Sequence, residues 1–134
     1  PPNLACRCFT HSTETILWAR KNEKKSRHFF NYQKMKEMNG GKQMKDVWTG
    51  SLTKPSEKTE GKHPTQKPEY LLERIVLAST EEGQVILDPF CGSGTTGVES
   101  VRFGRKFIGI DVSEEYLEIS KRRLEKVVND RKKF

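Results

Sequence analysis

The 134-residue sequence has few apolar residues and no long run of them: 33% are hydrophobic, against 32% charged. No stretch approaches the roughly 20 apolar residues of a membrane-spanning helix. The first residues, which begin at Pro1 without a methionine, show no signal-peptide pattern. These absences predict one domain with a small core and a very polar surface, with no association with a membrane.

Cysteine is also scarce, with three residues at Cys6, Cys8 and Cys91. An odd number of thiols without a secretory signal favours reduced cysteines in a cytosol over disulfides. Cys6 and Cys8 with His11 offer three potential metal ligands, whereas a structural zinc takes four. We therefore expect no metal site.

The chain lacks an acidic surplus, and its formal net charge is +7. Residues 20–62 hold twelve Lys or Arg and five Asp or Glu, while both flanking parts are balanced. The whole surplus thus lies in the middle third. Such a segment indicates a polyanionic partner, most often nucleic acid, although a solvated lysine-rich loop would have the same composition.

Sustained periodicity is missing from residues 26–61, which predicts a loop-rich insertion with one short helix near Tyr32–Met38. An irregular insertion of this length is usually functional. Before it, Thr13–Ala19 is rich in β-branched and aromatic residues and predicts a strand.

From Pro68 onward the pattern alternates between helix and strand. The predicted elements are a helix from Pro68 to Gly83, a buried strand at 84–88, a helix over Thr95–Phe103, a buried strand at Lys106–Ile110, and a helix capped by Ser113. The apolar face of the first helix consists of Leu71, Leu72, Ile75, Val76 and Ser79, and that of the last helix of Leu117, Leu124, Val127 and Val128. This order predicts an α/β fold with parallel strands and right-handed crossovers.

The stretch Val85–Gly97, VILDPFCGSGTTG, joins the first strand to the next helix. Its three glycines spell G-x-G-x-x-G in the strand–loop–helix context that gives the pattern meaning, because glycine lets a backbone approach a ligand closely. Asp111 ends the following strand, where nucleotide-binding folds place an acid on ribose hydroxyls. The stretch predicts a nucleotide-type cofactor, and the alternative is a ligand-free α/β turn with a helix-capping Asp.

Asp88 argues against a dinucleotide, because a carboxylate at the strand end would repel a pyrophosphate. It suits S-adenosylmethionine, whose amino and sulfonium groups are positively charged. A nicotinamide oxidoreductase stays open as the alternative of a different class.

The order of three motifs adds a family resemblance. GKHPTQKPEYLLERIV, DPFCGSGTTG and FIGID, preceded by a basic segment, resemble the β-class DNA amino-methyltransferases, which modify adenine N6 or cytosine N4. KQMKDVW and GKHPTQKP are most similar to the MboII-like adenine branch, and HSTETILWARK resembles the strand before the target-recognition region. The resemblance covers nearly the whole chain and implies a partial Rossmann-like S-adenosylmethionine-dependent methyltransferase fold, a parallel sheet with flanking helices.

The resemblance implies a division into residues 1–19, the end of the catalytic-half sheet, residues 20–62, a basic target-recognition insertion, and residues 63–134, the S-adenosylmethionine-binding portion. The implied cofactor-binding residues are Asp88, Phe90, Cys91, Gly92, Ser93, Gly94, Thr95, Thr96, Asp111, Val112, His63, Thr65, Gln66 and Lys67. The basic residues expected to contact DNA phosphates are Lys24, Lys25, Arg27, Lys34, Lys36, Lys42 and Lys45.

The family's catalytic Asp/Asn/Ser-Pro-Pro-aromatic motif, which binds and stacks on a flipped base, is absent, since Pro1-Pro2 is followed by Asn3. We expect the chain to be the carboxyl portion of a DNA adenine-N6 methyltransferase, with no catalytic residue of its own and negligible methyl transfer alone. A cytosine-N4 enzyme and a non-catalytic cofactor- or DNA-binding subunit are the alternatives. The resemblance implies duplex DNA as partner and a prokaryotic, nucleoid-associated cytoplasmic location, and it leaves open a homodimer and a companion restriction nuclease.

Overall fold

A computed structural model describes residues 7–22, 24 and 27–132 of the chain. The helices and strands are α1 (Tyr32–Met38), a 3-10 helix (Pro55–Glu57), α2 (Glu69–Ser79), β1 (Val85–Asp88), α3 (Thr95–Arg102), β2 (Lys106–Gly109) and α4 (Glu114–Arg131). The predicted alternation of helix and strand after Pro68 is confirmed. Among the described residues, no helix is long and apolar enough to cross a membrane.

β1 and β2 form a parallel pair in which Ile86 lies opposite Phe107, and α3 makes the crossover between them. α3 covers the Phe107 face of this pair. A Cβ at Gly97 of α3 would come within 2.5 Å of the Phe107 ring, so the third glycine of the motif allows the helix to lie close to the sheet.

The opposite face of the sheet is bare in the described part of the chain. Val85, Leu87, Ile108 and Ile110 are 52–58% exposed. The prediction that both strands are buried is therefore wrong for this face. Parallel sheets usually have helices on both faces, and a single crossover helix covers only one.

The predicted strand at Thr13–Ala19 is wrong: residues 13–19 form no strand. A strand needs a neighbour to pair its backbone N–H and C=O groups, and the described residues pair only β1 with β2. Trp18 instead contacts the rings of His28 and Phe30, with centroids 5.3 and 5.4 Å away.

The basic insertion is anchored on α2 by its own helix, and the prediction of a helix at Tyr32–Met38 is confirmed. Met35 of α1 is buried against Leu77 and Ala78 of α2, and the Asn31 N–H donates to the Ala78 carbonyl at 2.8 Å. The predicted apolar face of α2 placed Ser79 inside, but Ser79 is exposed. The buried face is shifted because α2 packs against α1 as well as α3.

The predicted Ser113 cap of α4 is confirmed, since the Ser113 hydroxyl accepts a hydrogen bond from the Tyr116 N–H. The buried residues of α4, however, are Ile119, Ser120 and Arg123 and none of the predicted stripe. Leu117 and Val128, at the two ends of that stripe, line an open groove beside Phe107 of β2. α4 packs on α3, and the residues that it buries are not those of the predicted stripe.

Candidate cofactor site at the glycine loop

The loop between β1 and α3 requires glycine at two positions. Gly92 and Gly94 have φ values of 50° and 75°, in the left-handed region that side chains disfavour. A Cβ on Gly92 would lie 2.9 Å from His63 Nε2, and one on Gly94 would lie 2.1 Å from Ser120 Oγ. The loop therefore brings its backbone against two neighbouring segments.

Asp88 ties the end of β1 to the start of α3. Its Oδ1 accepts the Phe90 N–H at 3.1 Å, and its Oδ2 accepts the Thr96 hydroxyl at 2.7 Å. Each carboxylate oxygen keeps a second lone pair. Asp88 thus shapes the loop and still offers negative charge at the strand end.

Asp111, just after β2, bonds to both sides of the site. Its Oδ1 accepts the Ser113 N–H at 2.9 Å, and its Oδ2 accepts the Gly92 N–H at 2.8 Å. These backbone hydrogen bonds lower the pKa of the Asp111 carboxyl, so the group is anionic at neutral pH. A fixed carboxylate of this kind can accept hydrogen bonds from ligand hydroxyls.

Two exposed apolar side chains follow the carboxyl ends of the two strands. Phe90, which follows β1, is 86% exposed, and Val112, which follows β2, is fully exposed. Ligands of open parallel sheets bind outside the carboxyl ends of the strands. An anionic acceptor at the strand ends, together with an exposed aromatic ring and an exposed aliphatic side chain, fits a nucleoside with its flat base and ribose hydroxyls.

The segment His63–Lys67, HPTQK, contains residues predicted to bind the cofactor, and parts of it contact the glycine loop and the start of α3. The His63 ring packs beside Gly92 and contacts the Tyr116 ring, with centroids 4.1 Å apart. The Thr65 N–H donates to His63 Nδ1 at 3.3 Å, and the Lys67 carbonyl accepts the Thr95 hydroxyl at 3.1 Å. The structure thus brings this segment against both ends of the loop.

The side chains of Gln66 and Lys67 bond elsewhere. The buried Gln66 amide donates to the Glu57 carbonyl at 2.7 Å, and the Lys67 amine pairs with Glu14 at 2.6 Å. Of these two residues, Lys67 is the one with a contact at the start of α3, through its carbonyl and the Thr95 hydroxyl.

Cys91 is a structural part of the loop. Its N–H donates to the Ile110 carbonyl at 2.9 Å. Burial, together with the charges of Asp88 and Asp111, raises the pKa of its thiol. The thiol is therefore protonated at neutral pH and unsuited to act as a nucleophile.

Arg123 of α4 is a loop contact that sequence reasoning missed. Its guanidinium donates to the Ser93 carbonyl at 2.8 Å and to the Thr95 hydroxyl at 3.0 Å. The missed signal is its spacing: Arg123 follows Ile119 by four positions, so both lie on the same buried helix face. An arginine in register with buried residues indicates an internal partner.

The predicted DNA contacts that the structure describes differ in exposure. Lys24, Arg27, Lys42 and Lys45 are exposed. Lys34 and Lys36 are partly buried on α1, and the Lys34 amine lies 3.5 Å from a Glu37 carboxylate oxygen. Lys25 and Cys6 lie outside the described residues.

The insertion is also attached through an aromatic ring. The Arg74 guanidinium of α2 lies 4.7 Å from the ring centroid of Trp48, and the Trp48 indole donates to the Lys45 carbonyl at 2.6 Å. The lysine-bearing turn is therefore linked to the helix that precedes the glycine loop.

Residues 1–122 match the family described as DNA methylase, N6_N4_Mtase. The chain is 76% identical over 125 residues to the Type II methyltransferase M2.LlaDCHI of Lactococcus lactis subsp. cremoris, which covers 93% of this chain and 46% of the relative. It is 75% identical over 124 residues to the Type II methyltransferase M2.DpnII of Streptococcus pneumoniae, covering 92% and 46%. The chain thus spans about half the length of these curated relatives.

A solved structure agrees with the fold. The chain resembles the structure described as an M1.HpyAVI–SAM complex with a TM-score of 0.57 and 33% sequence identity, over 75% of this chain and 46% of that one.

Proposed function

The chain belongs to the N6_N4_Mtase family of DNA methylases, and from this premise we propose that it forms the cofactor-binding half of a site-specific DNA adenine-N6 methyltransferase. The observation that carries the proposal is the glycine loop with Asp111 bonded to Gly92 at 2.8 Å, flanked by the exposed Phe90 and Val112. The likeness to a methyltransferase structure described as a SAM complex supports the same ligand.

S-adenosylmethionine, when bound, supplies a methyl group on a sulfonium sulfur. In the proposed site the Asp111 carboxylate accepts hydrogen bonds from the ribose hydroxyls, and Phe90 and Val112 cover the adenine. Asp88 contributes negative charge toward the cationic methionine part, while the backbones of Gly92, Ser93 and Gly94 allow close approach. His63, Thr65 and the main chain of Gln66 and Lys67 close the side beside Gly92.

The cofactor assignment is tested by calorimetric titration of S-adenosylmethionine into the 134-residue chain. Asp111→Asn removes the charge and should weaken binding by about ten-fold or more, because hydrogen bonds to a charged acceptor are the stronger class. The matched control is Asp46→Asn, an isosteric change at an exposed carboxylate of the basic segment. Equal affinities of the two variants, or tighter binding of NAD than of S-adenosylmethionine, would contradict the assignment.

We assign the exposed basic residues of the insertion to the DNA phosphates. Lys42→Gln with Lys45→Gln should weaken binding to every duplex sequence and reduce the slope of log affinity against log salt by about 2, one unit per lost phosphate contact. The control is Lys106→Gln with Lys121→Gln, two exposed lysines outside the insertion. If both double variants change the slope equally, the effect is one of net charge only.

Base readout within the insertion needs side chains that make directed hydrogen bonds. The candidates are Arg27, Asn31, Gln33, Asn39 and Gln43. Two of them are already used for the protein's own turns: the Asn31 side chain accepts the Lys34 N–H at 3.0 Å, and the Asn39 amide donates to the Lys42 and Gln43 carbonyls. Arg27, Gln33 and Gln43 therefore remain the better candidates.

The choice of adenine N6 over cytosine N4 rests on the resemblance of GKHPTQKP and KQMKDVW to the adenine branch. It is tested by expressing the whole gene that encodes this sequence, because in a chimera where this chain replaces the matching 46% of the Lactococcus lactis relative, the relative supplies the half that holds the target base. Mass spectrometry of nucleosides from methylated DNA should show N6-methyladenine. N4-methylcytosine would assign the chain to the other branch.

The 134 residues contain no Asp/Asn/Ser-Pro-Pro-aromatic motif, so we propose that this chain alone does not transfer methyl groups. Labelled S-adenosylmethionine incubated with the chain and duplex DNA should leave the DNA unlabelled, while the chimera labels it. Labelling by the chain alone would contradict this. A chimera that binds cofactor and DNA without labelling would favour the non-catalytic subunit.

A further inference from the structure

The Arg123 side chain comes from the middle of α4 and is 5% exposed. One nitrogen, Nη1, carries two hydrogens, which donate to the Ser93 carbonyl at 2.8 Å and to the Thr95 hydroxyl at 3.0 Å. The Ser93 hydroxyl oxygen lies 3.4 Å from the same nitrogen. Ser93 lies between the two left-handed glycines, Gly92 and Gly94. The guanidinium thus holds the central peptide of the loop from the side of α4.

The other nitrogen, Nη2, pairs with Glu69 at 3.1 Å. Glu69 stands at the first position of α2, and its second oxygen pairs with Arg102 of α3 at 2.9 Å. Arg102 also pairs with the fully buried Glu99. The four side chains alternate between arginine and glutamate and link α2, α3 and α4 around the loop, and Arg123 is the member whose hydrogen bonds reach the loop.

Glycine has the largest conformational freedom of any residue, so a loop with Gly92 and Gly94 in it does not hold its shape through its own sequence. The rigid guanidinium fork is suited to fix several acceptors at once. We propose that Arg123 is a positioning residue that presets the glycine loop for its cofactor, with Glu69 orienting the guanidinium. The identity of the cofactor rests on the proposed function.

The test compares two arginines of the same ion-pair chain in the 134-residue protein. Arg123→Met removes the loop contacts, and Arg102→Met is the matched control, because it also breaks a pair with Glu69 but leaves the loop hydrogen bonds in place. The readouts are hydrogen exchange of the amides of residues 92–95, the affinity for S-adenosylmethionine, and the thermal midpoint.

We expect Arg123→Met to accelerate exchange in the loop and to weaken cofactor binding by about ten-fold or more. Arg102→Met should lower the thermal midpoint without a selective change in the loop. Glu69→Gln keeps Arg123 but removes the carboxylate that orients its guanidinium, and it should accelerate exchange in the loop less than Arg123→Met does. Arg123→Lys, which keeps a donor without the fork, should restore part of the affinity.

Two results would overturn the inference: loop exchange that accelerates no more than exchange in α2 and α4, or affinity losses of Arg123→Met and Arg102→Met that simply follow their losses of stability. The proposed function fails in a different way. If the unaltered chain does not bind S-adenosylmethionine, the cofactor assignment is wrong, while hydrogen exchange in the loop still decides whether Arg123 positions it.

Discussion

The glycine loop and the basic insertion are both bonded to the rest of the molecule, but the bonds fix different groups in each. Loop atoms are held by Asp111 from β2, by Thr96 through Asp88, and by Arg123 from α4. In the insertion, residues 20–62, the attachments include the buried Met35 and the hydrogen bonds of Glu57 and Glu60, whereas Lys42 and Lys45 are exposed. A site for one small ligand needs fixed geometry, whereas contacts to phosphates need charge and tolerate adjustment.

The sharpest test of this difference substitutes one left-handed glycine in each region. Gly94→Ala should abolish S-adenosylmethionine binding, with affinity reduced by about 100-fold or more, because the new Cβ would meet Ser120 Oγ at 2.1 Å in a backbone conformation that alanine disfavours. Calorimetric titration measures the loss. Circular dichroism distinguishes local distortion from unfolding.

The matched control is Gly40→Ala in the insertion. Gly40 has a similar φ of 63°, but a Cβ there would have no atom within 4 Å. Gly40→Ala should lower the free energy of unfolding by only about 1–2 kcal/mol, the cost of a left-handed backbone conformation for alanine. The affinity for the cofactor should be unchanged. If the two alanines have equal effects, the loop is no more constrained than the insertion.

A second prediction concerns the anchor of the insertion. Met35→Ala should lower the free energy of unfolding by about 3 kcal/mol, because it empties a site packed against Leu77 and Ala78. Met38→Ala, on an exposed position of the same helix, should cost much less. Chemical denaturation measures both.

The same pair of variants separates the two regions functionally. In the Met35→Ala variant the basic insertion loses its anchor on α2. This variant should therefore bind DNA more weakly at fixed salt, while S-adenosylmethionine still binds the glycine loop. A parallel loss of both affinities would show that the two regions do not act independently.

The smallest predicted effect is a pH dependence that originates in α3. Burial raises the pKa of the Glu99 carboxyl to about 7, despite its pairing with Arg102. The folded state thus holds this proton more tightly than the unfolded chain. The resulting contribution to the free energy of unfolding is complete below about pH 4.5 and is lost as the pH rises through about 7. The wild-type chain should be less stable at pH 8 than at pH 5, by about 2 kcal/mol from this group.

Glu99→Gln should remove this part of the pH dependence of stability, because the glutamine side chain does not ionise between pH 5 and pH 8. Urea denaturation at pH 5 and pH 8 gives the comparison. An unchanged difference between the two pH values in the variant would show that Glu99 is ionised throughout.

The fold after Pro68 could be predicted because local signals there are strong and agree with one another. The apolar run Val85–Leu87, the glycines, and Ser113 before Glu114 each have a near-neighbour cause. Thr13–Ala19 failed because strand formation depends on a partner that no local pattern supplies. The prediction of the buried stripe on α4 was wrong for a related reason. Which apolar residues of a helix are covered depends on packing against elements that are distant in the sequence.

The candidate site was predictable to the same extent. Gly92, Gly94 and Asp111 are specified by their spacing along the chain, and the structure brings them together. Arg123 was missed because its partners, Ser93 and Glu69, are 30 and 54 residues away. Whether a charged residue is buried depends on partners that are distant in the sequence. An arginine in a helix with many polar residues therefore does not stand out from the sequence alone.

The bare face of the sheet has a consequence for the colloidal behaviour of the purified chain. Val85, Leu87, Ile108 and Ile110 form an apolar surface, and within the described ranges the outer edges of β1 and β2 have no partner strand. This combination promotes self-association. The net charge of +7 opposes it by mutual repulsion, which salt screens over roughly 10 Å at 0.1 M. The chain should therefore stay dispersed in dilute buffer and precipitate as salt is added.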